Sequence, residues 1–245
     1  MWKENKFCVR ATAPFALFTL PEFKSSGERR SAHFPTYEAL KGMLAAVYSK
    51  PELCIIIDRV RVMKQARFVT MGVNEMDLVR GGKGMRPDGT QQVAYTFLRD
   101  VEYIIEFHLA QNMGAMAQQR IKQRVAEGGQ PWNLIRYIEQ MERHISGHPR
   151  RNPCMGISEC LAVIEPYPDF FAGKGDYDNY TSDLGITYHG INYPEHCCKE
   201  IDAAAPGTIE RRYANLRMVN GVIQFPKPNE CTQKVILKMR KGVNT

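Results

Sequence analysis

Residues 35–63 read PTYEALKGMLAAVYSKPELCIIIDRVRVM and contain two adjacent elements of the predicted fold. The apolar positions of the first half are Leu40, Met43, Leu44 and Val47. Because they recur at i, i+3, i+4 and i+7 between two prolines, they predict a helix with one buried face. From Leu53 onward the segment is rich in β-branched residues, and Arg59 and Arg61 alternate with valines. The stretch therefore predicts a helix followed directly by a strand.

Two more strand patterns lie on either side of this block. Residues 6–18, KFCVRATAPFALF, alternate and are rich in β-forming residues until the chain meets Pro14. In residues 101–109, VEYIIEFHL, Glu102 and Glu106 point to one face. The opposite, apolar face consists of Val101, Tyr103, Ile105 and Phe107. Both segments are therefore predicted strands.

A glycine-rich basic segment, RGGKGMRPDG at residues 80–89, lies between two of these strands. A phosphate-binding P-loop needs Gly-Lys-Ser/Thr at the start of a helix, and here Arg86-Pro87 follows instead. We interpret the segment as the tip of a basic hairpin, which could lie along a phosphate backbone. Residues 111–130 are predicted to form a short helix or a mobile excursion.

Residues 133–151, NLIRYIEQMERHISGHPRR, predict a second and basic helix. Its apolar stripe is Leu134, Ile138, Met141 and Ile145. At 100° per residue, Tyr137 and His144 fall together on one flank of that stripe. The opposite, solvated side carries Arg136, Gln140 and Arg143. Residues 159–168, ECLAVIEPYP, then predict a strand.

The resulting order of elements is strand, helix, strand, strand, helix, strand. This is the α+β, ferredoxin-like βαββαβ arrangement of the RRM/RAMP type, here with a hairpin insertion, and many RNA-binding domains use it. The chain then changes character, with glycines and aromatics in short runs and hairpin signals at Gly185 and Asn220-Gly221. We predict a ferredoxin-like domain at residues 1–166 and a small antiparallel β-sheet domain at residues 167–245.

Charge favours a polyanionic partner. The 245 residues include 33 Lys+Arg and 26 Asp+Glu, which gives a formal net charge of +7, and neutralising phosphates releases their condensed counterions. The start, MWKENKFCVR, lacks the apolar run of a signal peptide. No segment approaches the roughly 20 apolar residues of a membrane span. We therefore expect a cytoplasmic protein without membrane contact.

The seven cysteines include no CxxC pair. Cys197 and Cys198 lie near His196 and His189 in the sequence. Adjacent cysteines cannot easily both turn towards one tetrahedral ion, and the usual zinc-ligand spacing is absent. We therefore expect reduced thiols, buried or at an edge, with no metal and no cofactor.

Six phrases carry a family resemblance that spans nearly the whole chain. They are ALFTLPEFKSSGERRSAHFPTYEALKGMLAAVYSKP, IDRVRVMK, YTFLRDVEY, GISEC, YHGINYP and GVIQFPKPNEC. In this order they resemble the CRISPR-associated Cas5 family in its d subclass, from type I-C systems. The resemblance implies a ferredoxin-like domain with a small C-terminal sheet domain, and membership of the type I-C Cascade complex.

The resemblance also implies an activity and its partners. It implies an endoribonuclease that cuts CRISPR repeat RNA without metal and then stays on the 5′ handle of the crRNA. The implied neighbours are the large subunit and the first backbone subunit of Cascade, with target DNA reached through the complex.

The family's processing site is a tyrosine at the end of the first helix plus a Lys-His pair at the start of the second. Tyr48 matches the tyrosine, in AVYSKP. An ungapped comparison anchored at Glu159-Cys160 puts Arg136 at the lysine position and Tyr137 at the histidine position. The pair is therefore altered, since arginine stabilises negative charge without shuttling protons and tyrosine is a poor base.

RNA cleavage by attack of the 2′-hydroxyl needs an aligned sugar, a base, an acid and positive charge near the phosphorane. His144, two turns below Tyr137, or His33, before the first helix, could replace the missing proton carrier, because histidine exchanges protons near neutral pH. The candidate catalytic residues are therefore Tyr48, Arg136, Tyr137 and His144.

Basic residues in loops and on helix faces are the candidate RNA contacts, although charge runs are often only solvated faces. They are Lys24, Arg29, Arg30, Lys41, Lys50, Lys83, Arg86, Arg143, Arg150 and Arg151. Two functions stay open. One is a nuclease and Cascade subunit that positions the scissile phosphate with Tyr48 and Arg136, and the other is a non-catalytic subunit that only caps the 5′ handle.

Overall fold

The computed structural model describes residues 5–19, 28–81 and 84–238. Within these ranges the helices are α1 (Tyr37–Val47), α2 (Ala115–Ala126) and α3 (Leu134–Ile145). The strands are β1 (Phe7–Ala16), β2 (Arg29–Arg30), β3 (Leu53–Val62), β4 (Arg67–Gly81), β5 (Gly84–Gln111), β6 (Val163–Pro166), β7 (Thr181–Asn192), β8 (Thr208–Val219), β9 (Val222–Gln224) and β10 (Gln233–Lys238). The fold is therefore a mixed α/β fold dominated by one antiparallel sheet.

Four strands of this sheet are those predicted for the N-terminal part. They lie in the order β6-β1-β5-β3, and each neighbouring pair is antiparallel. Numbered among themselves along the chain, they follow the order 4-1-3-2. The predicted helices form as α1 and α3, while α2 and the long β4–β5 hairpin lie between the predicted elements.

The main core lies between this sheet and the helices α1 and α3. The predicted apolar face of β5 is buried there, and Phe107 stacks on Phe7 of β1 with ring centroids 4.9 Å apart. α1 contributes Tyr37, Leu40, Met43, Leu44 and Val47, which confirms its predicted buried face. α3 contributes Tyr137, Met141 and Ile145.

α1 has a defined start and a defined end. The Thr36 hydroxyl accepts from the Ala39 N–H at 3.3 Å, an N-cap that satisfies one of the free donors of the first turn. The free carbonyls of its last turn accept hydrogen bonds from a later segment. The Arg150 N–H donates to Val47 O at 2.9 Å, and the Arg151 N–H donates to Ala46 O at 3.0 Å. Residues 150–151 are thereby held against the end of α1.

The predicted hairpin is confirmed and is longer than the sequence suggested. β4 and β5 pair from Arg67 opposite Arg99 to Gly81 opposite Gly84. The strand predicted at residues 101–109 is thus only the last part of β5, which has 28 residues. β1 likewise continues past Pro14, which faces solvent and has no partner in the register with β5.

The segment at 111–130 is a helix, α2, rather than an unstructured excursion. The strand predicted at 159–168 is wrong at its start, since β6 covers only Val163–Pro166. Glu159 and Cys160 lie in a turn, where Met155 N–H donates to Cys160 O at 2.8 Å and closes the loop locally. No helix in the described ranges is long and apolar enough to cross a membrane.

The C-terminal strands are antiparallel, as predicted, and Asn220-Gly221 forms the turn between β8 and β9 with positive φ at both residues (51° and 74°). The hairpin predicted at Gly185 is wrong. Gly185 lies inside β7 at a break in the register with β8, and its φ of 65° produces a β-bulge instead of a turn. β9 pairs with β3, so the C-terminal strands continue the N-terminal sheet. The division into two domains at residue 166 stays a prediction.

Candidate nucleic-acid interface

Tyr48 is the residue at which α1 ends. Its backbone is extended, with φ −155° and ψ 126°, and its N–H still donates to Leu44 O at 3.1 Å. The residue is only 2% exposed, and its hydroxyl donates to Oε1 of Gln140 on α3. Burial raises the pKa of Tyr48, so the phenol stays neutral and acts as a hydrogen-bond donor.

His144 lies directly against Tyr48. The two rings stack with centroids 5.0 Å apart and an angle of 17° between their planes. His144 Nδ1 contacts the backbone carbonyl of His148. Because a carbonyl only accepts, Nδ1 carries a proton, so in the uncharged form of the ring Nε2 is the acceptor. Two of the predicted catalytic side chains are therefore adjacent, and one has the tautomer of a base.

Gln140 is a residue that the sequence pattern misplaced. We predicted it on the solvated side of α3, but it is half-buried and receives the Tyr48 hydroxyl. On a helix, Gln140 lies about 40° from His144 and about 60° from both Tyr137 and Arg143, so it falls between the Tyr137–His144 flank and the arginine side. The amide was missed because its partner is 92 positions away in the chain.

Tyr137 has a different environment from the one predicted. It is 5% exposed and belongs to the core, where its ring stacks on Trp132 with centroids 5.8 Å apart. Its hydroxyl lies 3.4 Å from Glu52 Oε1, and Arg124 Nη1 donates to that hydroxyl at 3.3 Å and to Glu52 Oε1 at 2.7 Å. Tyr137 thus joins three segments and does not share the Tyr48–His144 stack.

The basic residues around this stack are largely free of carboxylate partners. Arg136 is exposed on α3, and its charge acts on Tyr48 by lowering the Tyr48 pKa against the larger effect of burial. Within the described part of the chain, the exposed residues Arg136, Arg143 and Arg151 form no ion pair. The Arg150 guanidinium lies 5.9 Å from the Tyr48 ring centroid and donates to Ser49 O at 3.2 Å. The surface around Tyr48 therefore has positive charge available for an anion.

The other predicted RNA contacts are more scattered. Arg29 and Arg30 lie over the rings of Tyr95 and Phe68, on the side of the β4–β5 hairpin. Lys41 pairs with Glu38 at 3.1 Å within α1, and Lys50 is half-buried in the turn after α1. Lys24 and Lys83 lie outside the described residues, and Arg86 is described only through its backbone, opposite Val79.

His33 does not belong to the Tyr48 site. It precedes α1, whereas Tyr48 follows it, and eleven helical residues separate them by about 16 Å along the axis. The His33 ring instead packs edge-on against Phe68, with centroids 4.9 Å apart. Of the two alternative histidines, only His144 is brought to Tyr48.

On the opposite face of the sheet, several of the described basic residues pair with carboxylates. The Glu106 carboxylate forms an ion pair with Lys6 at 3.0 Å and accepts hydrogen bonds from Nε and Nη2 of Arg59 at 2.9 and 3.0 Å. Arg10 forms an ion pair with Glu102 at 2.8 Å. Further pairs on or beside this face are Arg61–Asp178, Lys64–Asp100 and His108–Asp58. Paired charges attract a polyanion weakly, so the two faces of the protein differ in electrostatic character.

A comparison with known protein families covers most of the chain. The family model described as CRISPR-associated protein (Cas_Cas5), of the d subclass, matches residues 7–226. This chain belongs to the Cas5d family of CRISPR-associated proteins. It is 28% identical over 211 residues to the CRISPR pre-crRNA endoribonuclease Cas5d of Mannheimia succiniciproducens, covering 78% of this chain and 87% of the relative. The protein of the same name from Thermus thermophilus is 29% identical over 163 residues, 66% of this chain and 63% of the relative.

Solved structures have the same fold. One described as a CRISPR-associated protein is 26% identical, with a TM-score of 0.66 over 94% of this chain and 96% of that chain. Another, a functionally uncharacterized protein from Streptococcus mutans, is 25% identical with the same TM-score and coverage.

The thiols of this Cas5d family member do not gather into a metal centre. All seven cysteines are free, and Cys198 Sγ donates to Glu200 at 3.3 Å. His189 is fully buried in contact with Tyr37, with Nε2 3.0 Å from Pro226 O. Among the described residues, no group of three or more His, Cys, Asp and Glu side chains could hold a metal ion.

Proposed function

We propose that this protein binds CRISPR repeat RNA where α1 and α3 meet, cleaves precursor crRNA there by metal-independent 2′-hydroxyl attack, and retains the 5′ handle. The names of the two curated relatives support the processing activity. The observation that carries the proposal is the Tyr48–His144 stack beside guanidiniums without carboxylate partners. Several basic residues on the opposite face are paired with carboxylates, whereas the arginines at this end keep their charge available for a phosphate.

In this proposal His144 is the general base. Nε2 takes the proton from the 2′-hydroxyl as the 2′ oxygen forms its bond to phosphorus. The bond from phosphorus to the 5′ oxygen breaks, and a solvent proton neutralises the leaving oxygen, which leaves a 2′,3′-cyclic phosphate. Arg136 stabilises the negative charge of the phosphorane, and its permanent charge suits that role better than proton transfer.

Tyr48 then has a positioning role. Its hydroxyl is held by Gln140 and its ring lies against His144, so it fixes the imidazole relative to the end of α1. A buried, neutral phenol cannot act as the base, which is consistent with assigning that role to His144. Tyr137 supports α3 from the core rather than contacting RNA.

The architecture and assembly are part of the same proposal. The 4-1-3-2 strand order supports a ferredoxin-like unit at residues 1–166, with residues 167–245 as a small sheet domain. As a type I-C Cascade subunit in the cytoplasm, the protein would contact the large subunit and the first backbone subunit, and it would reach target DNA through the complex.

A second function is favoured by one specific observation. Arg136-Tyr137 replaces the Lys-His pair implied by the family resemblance, and Tyr137 is sequestered by Glu52 and Arg124. A chain that has lost its original proton carrier could still hold RNA through its arginines. The alternative is therefore a non-catalytic Cascade subunit that only caps the crRNA 5′ handle.

One experiment separates the two functions. The purified protein is incubated with its own repeat RNA in excess chelator, beside the variants Tyr48→Phe, Arg136→Ala and His144→Ala. His148→Ala is the matched histidine control, because it keeps the backbone carbonyl that His144 contacts. Cleavage products are resolved on a gel, and binding is measured in parallel with an RNA that has 2′-deoxyribose at the cut position.

We expect specific cleavage by the unmutated protein and by His148→Ala. The rate should fall on the order of 100-fold or more in His144→Ala, because a general base typically contributes that much. Tight binding with intact RNA would favour the capping subunit and refute the nuclease. Cleavage that survives in His144→Ala would refute the assignment of the base.

A further inference from the structure

A groove of about 430 Å³ lies beside the Tyr48–His144 stack, between the end of α3 and the strand β6. His144 forms part of its wall, so the groove is continuous with the proposed phosphate site. The remaining wall is mainly aliphatic and includes Val47, Ile145, Pro149, Pro153 and Ile164.

Two apolar side chains at this groove are open to solvent. Leu161 is 53% exposed and Val163 is 65% exposed, although both belong to the short segment that forms the β6 edge of the sheet. Adjacent exposed apolar side chains in a concave surface mark a place where a ligand removes them from water. The groove also contains the Asn152 side chain, whose amide can donate and accept hydrogen bonds.

The charges around the groove favour one kind of occupant. Arg150 and Arg151 immediately precede Asn152 in the chain, and Arg143 precedes His144 on α3. An aliphatic groove with a cationic rim fits a nucleotide, whose base is flat and weakly polar on its faces while its phosphate is anionic. An aliphatic peptide segment would cover the groove but would bring no anion to these guanidiniums.

We propose that this groove binds one unpaired nucleobase of the repeat RNA, adjacent to the phosphate held at Tyr48 and His144. The inference rests on the proposed function, because it uses the same RNA and the same phosphate. Leu161, Val163 and the two prolines contact the faces of the base, and the Asn152 amide contacts its edge. Sequestering one flanking base would orient the sugar for in-line attack, so the groove contributes to the alignment that cleavage needs.

A double-mutant cycle, which combines protein variants with altered RNAs and compares their affinities, tests the groove. The groove variant is Leu161→Ser with Val163→Ser, and the matched control is Val235→Ser with Ile236→Ser, two exposed apolar residues on β10. Each protein is titrated with repeat RNA that carries 2′-deoxyribose at the cut position. The RNA is intact, or it has one abasic residue at each flanking position in turn. Circular dichroism checks that both variants fold.

We expect the groove variant to bind intact RNA on the order of 10-fold more weakly, with the control unchanged. For the unmutated protein, one abasic position should weaken RNA binding by a similar factor. In the groove variant, the same abasic position should cause no further loss of affinity. Equal abasic losses in both proteins at every position would overturn the groove assignment while leaving the proposed function intact. Normal RNA binding by the groove variant would also overturn it and would point to a protein partner. Absence of any specific repeat binding would overturn both proposals.

Discussion

At the scale of single residues, the most connected side chain near the candidate site is Arg124 of α2. It bonds to Glu52 Oε1 at 2.7 Å, to the Tyr137 hydroxyl at 3.3 Å and, through Nε, to Gln130 O at 3.0 Å. Glu52 is only 7% exposed, and Arg124 is the cation that lies against its carboxylate. Arg124 therefore joins α2 to α3 and to the turn after α1.

Removing the arginine alone should destabilise the protein. In Arg124→Met the Glu52 carboxylate stays buried without its cation, and we expect the free energy of unfolding to fall by about 3 kcal/mol. Adding Glu52→Gln should recover most of that loss, because no buried charge remains. Urea unfolding of the two variants and the unmutated protein measures both effects. A single variant as stable as the unmutated protein would show that the pair contributes nothing.

At the scale of elements, the sequence carried most of the information about the sheet and α1. The 3.6-residue and two-residue periodicities predict α1, β3 and the end of β5 because each buries one face locally. Gln140 and Tyr137 could not be placed in this way, since their partners Tyr48 and Glu52 are 92 and 85 positions away. Gly185 was misplaced because a glycine with positive φ serves a bulge as well as a turn.

The packing of β7 against α1 makes stability depend on pH through His189. Its ring stacks on Tyr37 with centroids 4.1 Å apart, and burial, with Arg212 nearby, lowers the pKa of His189 to about 3. The unfolded chain takes up a proton below about pH 6.5, whereas the folded protein does not. The contribution of His189 to the free energy of unfolding is therefore fully present above pH 6.5, and it is lost as the pH falls from 6.5 towards 3.

Replacing His189 should remove that contribution. Between pH 7 and pH 5, the unmutated protein should lose about 2 kcal/mol more unfolding free energy than His189→Phe, which keeps an aromatic ring against Tyr37. Chemical denaturation at the two pH values provides the measurement. Carboxylates titrate equally in both proteins, so identical pH dependence would mean that His189 is protonated in the folded state.

At the scale of the whole molecule, function depends on where positive charge is left available. The net charge of +7 is unevenly available to a ligand, because several basic residues on one face of the sheet pair with carboxylates. The exposed arginines beside α1 and α3 have no such partners among the described residues. The sequence could predict the total charge, but the pairing of Arg10 with Glu102 and Glu165 depends on strand register.

The salt dependence of RNA binding tests this central claim most directly. Affinity for uncleavable repeat RNA is measured against salt concentration for the unmutated protein and for Arg136→Ala, Arg143→Ala and Arg151→Ala combined. The control combines Lys174→Ala, Lys199→Ala and Arg217→Ala, which removes the same three charges from exposed positions in the C-terminal part.

We predict a steep fall of affinity with salt for the unmutated protein and the control. The log–log slope should be shallower by about 2 in the arginine variant, since each single-stranded phosphate contact contributes about 0.7. A flat response in the unmutated protein, or equal slopes in the two variants, would contradict RNA binding at the end of the molecule where α1 meets α3.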